Sequence, residues 1–209
     1  NFTKTVTKSL TTTLYFYFHG WDLYAAGNYS AARESFRQYL IYYPNDLVGL
    51  TALGWSQTQD SLVDSSIISF NSALNLDNDY LDALAGLTVA FYKNYYLYAM
   101  QTPAERLLTL DSLYVFNYDK RYDHRVVRLM LADFYNMDGR LEDAQRIIDL
   151  LYPTNGLAPD DSSTWKIDDG EETLTFDTYE SALTSLIEYL KWIWWEPVGL
   201  PKVTITCFS

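Results

Sequence analysis

The chain repeats itself at a step of 34 residues. Gly20-Trp21 recurs as Gly54-Trp55. Ala32, Phe36, Tyr39-Leu40 and Pro44 are answered by Ser66, Phe70, Ala73-Leu74 and Asn78. A third copy keeps Leu84, Leu87 and Leu107-Leu108 in register. A fourth, displaced by a ten-residue insertion at 115–124, keeps Leu131-Ala132, Tyr135, Gly139, Leu141, Ala144 and Ile148. A period of this length marks stacked supersecondary units, each burying its apolar face only against its neighbours.

The residues inside each copy read as a helix pair. Gly27 and Gly139 end first helices, where a left-handed residue satisfies the open carbonyls. Pro44 stops a second helix. Gly20, Gly54, Gly86 and Ala132 on first helices, and Ala32, Ser66 and Ala144 on second helices, let the helices approach closely. This pattern resembles the tetratricopeptide repeat. Repeat one (13–46) supplies Phe16, Gly20, Gly27, Tyr29, Ala32, Phe36 and Pro44. Repeat two (47–80) supplies Leu50, Leu53, Gly54, Phe70 and Ala73. Repeat three (81–114) supplies Leu84, Leu87, Phe91 and Leu107, and repeat four (125–153) Leu131, Ala132, Tyr135, Gly139, Ala144 and Ile148. The resemblance implies an all-α, right-handed solenoid of helix pairs over 13–153. The array also resembles repeat-containing bacterial envelope lipoproteins.

Some positions depart from the pattern. His19 replaces a Leu in repeat one, and Gln59-Asp60-Ser61 replaces the Gly turn of repeat two. Pro103 falls inside the expected second helix of repeat three. Thr102 is therefore read as an N-cap with Pro103 as the first helical residue, and the preceding helix as running long, through Tyr95 to Met100. The insertion 115–124 reads as a loop.

Neither end repeats. Residues 1–12 are Thr-rich and alternating, so they read as an extended segment. Residues 154–209 read as a linker (156–163), a hairpin around Asp168-Asp169-Gly170, a capping helix and a strand-like tail. Asp177 and Glu180 match a capping box for that helix, whose apolar positions run from Ala182 to Ile193 at helical spacing. A chain beginning at Asn1 either has lost a leader or belongs to a longer one.

Composition narrows the chemistry. Fifteen Lys+Arg against 27 Asp+Glu give a net charge of −12, which repels nucleic-acid phosphates. The longest apolar run is too short for a membrane span. One cysteine, Cys207, excludes an internal disulfide framework. Of two histidines, His19 sits at a core position and His124 lies near no nucleophile motif. No phosphate loop, esterase elbow or zinc-binding string is present. Asp168 to Glu172 lacks the alternating spacing of a calcium loop. The expectation is no enzyme, no metal and no cofactor. Nineteen tyrosines and few cations suit an extracellular or cell-envelope protein, with a cytoplasmic acidic protein as the alternative.

In the family resembled, set positions of the first helices line a concave groove. Carried over, these include Tyr17, Trp21, Tyr24, Trp55, Val89 and Tyr92. An exposed patch of this kind is a binding site or an aggregation hazard. The implied function is a protein–protein interaction scaffold, with a peptide, a neighbouring copy or the chain's own tail in the groove. The alternative is a structural subunit that polymerises head-to-tail through its terminal segments.

Overall fold

The computed structural model describes residues 2–168 and 173–195. Four helix pairs follow one another: α1 (Phe2–Ala25) with α2 (Tyr29–Tyr42), α3 (Leu47–Gln59) with α4 (Val63–Leu74), α5 (Leu81–Lys93) with α6 (Leu97–Leu110), and α7 (His124–Met137) with α8 (Leu141–Leu151). Each second helix also packs on the first helix of the next pair. An antiparallel hairpin, β1 (Lys166–Asp168) and β2 (Thr173–Thr175), leads to α9 (Tyr179–Trp195), which packs on α7 and α8.

One turn sets the pairs. Gly27, Ser61, Tyr95 and Gly139 hold the same place in the four copies, and all have positive φ, at 75°, 60°, 58° and 77°. After each, an N–H reaches back to the carbonyl five residues earlier: Asn28 to Leu23, Leu62 to Gln57, Tyr96 to Phe91, Arg140 to Tyr135, at 2.8–2.9 Å. This Schellman geometry satisfies the last carbonyls of the first helix and reverses the chain. Repeats two and three therefore keep the turn without its glycine.

Small residues then admit large ones. A Cβ on Gly20 would stand 2.5 Å from the Phe36 ring, and one on Gly54 2.7 Å from the Phe70 ring. A Cβ on Gly86 would stand 2.2 Å from the same Phe70 ring. Phe70 is thus wedged between its own repeat and the next. Ala32 and Ala73 are fully buried in the same core.

Several expectations are corrected. The segment 1–12 is not extended: α1 is helical from Phe2. No Gly or Pro interrupts residues 2–18, and Thr's weak helix propensity is under about 1 kcal/mol per residue, too little to stop a helix already nucleated. In repeat three the first helix ends at Lys93, not beyond Tyr95, and the second begins at Leu97. The turn at Tyr95 decides this, and Pro103 is accommodated buried inside α6. The cap of α9 is Thr178, not Asp177: the Thr178 hydroxyl accepts the Ser181 N–H at 3.1 Å. The stretch 156–163 is an ordered connection rather than a linker. Leu157 is buried, Ser162–Thr164 make a 3-10 turn, and the Trp165 indole donates to the Ala158 carbonyl at 2.9 Å. The hairpin pairs as expected, Ile167 opposite Leu174. Its tip at 169–172 and the strand-like tail with Cys207 lie outside the described residues.

The exposed turn residues Ser61 and Tyr95 carry left-handed strain of about 1–2 kcal/mol, which glycine lacks. Ser61→Gly and Tyr95→Gly should each stabilise the fold by about 0.5–1 kcal/mol once glycine's greater unfolded entropy is subtracted. Urea midpoints check this; a lowered midpoint contradicts the shared turn.

Candidate functional site

The first helices α1, α3, α5 and α7 present their side chains to one inner face. Trp21, Tyr24, Trp55 and Val89 lie there, and all four are buried; Tyr17 and Tyr92 are half-buried. The structure brings the expected residues to one side of the array. What covers them is the chain itself, so the expected open groove is corrected.

The insertion 115–124 folds back across this face as a strap. Its ends are pinned by an antiparallel bridge between Val115 and Asp123. The His124 N–H donates to the Tyr114 carbonyl at 2.8 Å and the Phe116 N–H to the Tyr122 carbonyl at 2.9 Å. Phe116 stacks on Trp55, with centroids 4.2 Å apart and planes 14° apart, and Tyr118 stacks on Trp21 at 3.7 Å and 7°. Tyr122 packs on Trp55 from another side, at 4.9 Å. Offset and stacked ring pairs of this kind add to simple area burial.

Polar groups fix the strap's register. The Tyr24 hydroxyl donates to Asp119 at 3.3 Å, and Arg121 grips the same carboxylate through two hydrogen bonds at 2.7 and 2.6 Å. Gln59 donates to the Tyr122 hydroxyl at 2.9 Å. The Tyr114 hydroxyl donates to Asp82 at 2.8 Å, and the Trp55 indole donates to the Asp82 backbone carbonyl at 3.0 Å. Asp123 caps α7 and pairs with Arg125.

The remaining part of the face is taken by α9. Its Lys191 ammonium binds Asp133 at 3.0 Å and Glu188 at 2.7 Å, and stands 5.8 Å from the centre of the Tyr92 ring. The Tyr92 hydroxyl donates to Asp133. Asn136 on α7 donates to Thr184 on α9 at 2.8 Å. Burial opposes the Lys191 charge, but Tyr92, Asp133 and Glu188 outweigh it and raise the ammonium's pKa.

Sequence reading missed Phe116, Tyr118, Tyr122 and Lys191. The available signal was alternation: Phe116, Tyr118 and Tyr122 stand at even spacings in a segment too short for a helix pair, so they share one side if extended.

No family model matches the sequence, and no curated protein matches it. Among solved structures, a thermophilic TPR protein of Thermus thermophilus aligns over 85% of this chain and 82% of its own, with a TM-score of 0.53 and 18% sequence identity. The fold is that of a tetratricopeptide-repeat protein. The TPR-like array here differs from a bare groove because strap and α9 fill its inner face. Among the described residues, no three His, Cys, Asp or Glu side chains are grouped to hold a metal ion. The histidines have structural places: His19 stacks on Tyr15 at 5.0 Å, and His124 opens α7. Among the described residues no helix is long and apolar enough to cross a membrane.

Two outcomes follow from this packing. Phe116 is fully buried, so Phe116→Ala should cost about 3–5 kcal/mol in urea unfolding. Tyr118→Ala, at a half-exposed position, should cost clearly less; equal costs would contradict the stacking order. The second concerns pH. Burial raises the hydroxyl pKa of Tyr24, Tyr92 and Tyr114, and pushes Tyr122 up to about 12. A tyrosine that holds its proton more tightly when folded stabilises fully below its unfolded pKa of about 10 and loses that contribution as pH rises through the folded value. The melting temperature should therefore fall above about pH 10. Tyrosinate absorbance of the buried rings should appear together with unfolding; ionisation well before unfolding contradicts their burial.

Proposed function

We propose that this chain is a non-enzymatic protein–protein interaction scaffold whose inner face is closed by its own strap. The observation that carries this is Phe116 stacked on a fully buried Trp55. Aromatic surface that a bare array would offer to a peptide is used here for cohesion. Partners then meet what remains uncovered: the outer sides of the terminal helices and the edge where second helices hand over to the next pair. That edge carries exposed Tyr42, Leu76 and Leu110, one in each of the first three repeats at equivalent positions. An extracellular or envelope setting belongs to the same proposal, supported by the tyrosine-rich, cation-poor composition.

Peptide-display selection on the full chain, followed by hydrogen-exchange mapping of the selected binders, tests the reading. Protection is expected on α1 or along the Tyr42–Leu110 edge, with the strap amides of Phe116 and Tyr122 unchanged. Binders that loosen the strap and protect Trp21 and Trp55 would instead place recognition in the inner groove. Finding neither a binder nor any self-association would overturn the scaffold.

A further inference from the structure

We propose that Tyr17 and Tyr118 form an oxidative cross-linking site, at which a haem peroxidase acting with hydrogen peroxide joins the two rings and fastens the strap to the first helix. Such a site exists whether or not the chain is a scaffold.

The strap is held unevenly. Phe116 and Tyr122 are fully buried, whereas Tyr118 between them is 44% exposed. Two contacts place the Tyr118 ring. It lies flat on Trp21, with centroids 3.7 Å apart and planes 7° apart. Its hydroxyl stands 3.3 Å from the Tyr17 hydroxyl, at an exposed position. Tyr17 is fixed in turn by edge contacts with the Trp21 and Phe36 rings, at 6.4 and 6.1 Å, and by the Tyr39 ring at 5.3 Å. Neither phenol can swing away from the other without giving up an aromatic contact.

Coupling of two phenols needs this arrangement. Loss of a hydrogen atom leaves a phenoxyl radical, whose unpaired electron is shared between the oxygen and the ring carbons ortho to it. Two such radicals join readily when those ends of the rings already meet. Other neighbouring tyrosines are placed differently. Tyr24 and Tyr39 have the rings of Tyr29 and Tyr43 at 5.2 and 5.3 Å, but both are buried and give their own hydroxyls to Asp119 and Asp46. Trp21, also oxidisable, lies buried beneath Tyr118, so an oxidant arriving from solvent meets the tyrosine pair first.

Through the haem, one peroxide takes one hydrogen atom from each phenol and is reduced to two waters. The two radicals combine in a single carbon–carbon bond between ring positions ortho to the oxygens. The hydrogens on those two carbons leave as protons and return to the oxygens through solvent, restoring both phenols. The product is the chain less two hydrogen atoms. It links residues 101 apart in sequence, and a covalent link across so long a loop restricts the unfolded chain.

Oxidation of the full chain, kept dilute, by a haem peroxidase and limiting hydrogen peroxide tests the site, with digestion and mass spectrometry as the readout. The expected product has monomer mass, dityrosine fluorescence, and one cross-linked peptide pair containing Tyr17 and Tyr118. Its urea midpoint should lie above that of the unreacted chain. Tyr118→Phe keeps a ring on Trp21 and removes only an exposed hydroxyl. It should abolish the cross-linked pair and the rise in midpoint, with far-ultraviolet circular dichroism unchanged. Tyr17→Phe should abolish the pair as well. The same oxidation in concentrated urea should scatter coupling over many tyrosines. Coupling found only between chains, or only at other tyrosines, overturns the proposal. So does an absence of coupling under conditions that couple free tyrosine, or a Tyr17–Tyr118 product formed equally well in urea.

Discussion

Everything in this array hangs on a reversal that needs one residue in the left-handed region. Four times, at 27, 61, 95 and 139, the chain closes the same six-residue loop of hydrogen bonding between the end of one helix and the start of the next. That reversal fixes which faces of the two helices meet. Once they meet, Gly20 and Gly54 lie under Phe36 and Phe70, and the step to the next pair places Gly86 against Phe70 as well. Repeat three exchanges the sizes, with buried Ala104 and Thr88 in the places of the ring and the glycine. The pairs differ in side chains, yet both members are buried in each.

The inner face shows how a repeat architecture can cover its own groove without changing its helical frame. Trp21 and Trp55 stand where the repeat register puts them, yet their partners are Tyr118 and Phe116 from the same chain. Tyr24 and Tyr122 beside them find their polar partners within the chain, Asp119 and Gln59, although the buried Trp21 indole N–H has none. A partner entering there would have to replace both the rings and the hydrogen bonds. On the proposed scaffold reading, binding capacity shifts outward, to helix faces and edges that the array leaves uncovered.

Fold class and repeat register were legible because glycine, alanine and phenylalanine recur at a fixed step, and each has a single packing reason to be there. The register put Ser61 in the turn while Tyr95 was read inside a helix, and neither showed its left-handed backbone, since a left-handed non-glycine leaves no compositional mark. The threonines of residues 2–13 pointed to strand by propensity, but continuity with α1 outweighs a preference of that size. The site was half legible. The register located the aromatic face, while the strap's destination depends on three-dimensional closure between segments far apart in sequence. An aromatic-rich insertion announced its presence and its alternation, and no local pattern could say which repeats it would cover.

The strap also alters what kind of polymer the array is. A simple solenoid has contacts only between neighbours and can unravel from either end, one unit at a time. Here Tyr17 touches Tyr118 and Tyr24 binds Asp119, pairs 101 and 95 residues apart, so the first helix is tied to the segment between the third and fourth pairs. Loops of that length must close before those contacts reward the chain, which slows folding relative to a purely local array. Once closed, they bind the ends of the array to a common fate. Fraying of the first pair exposes Trp21 and unseats the strap, and loss of the strap uncovers Trp55 in the second. The molecule should then lose its structure in one cooperative step rather than repeat by repeat.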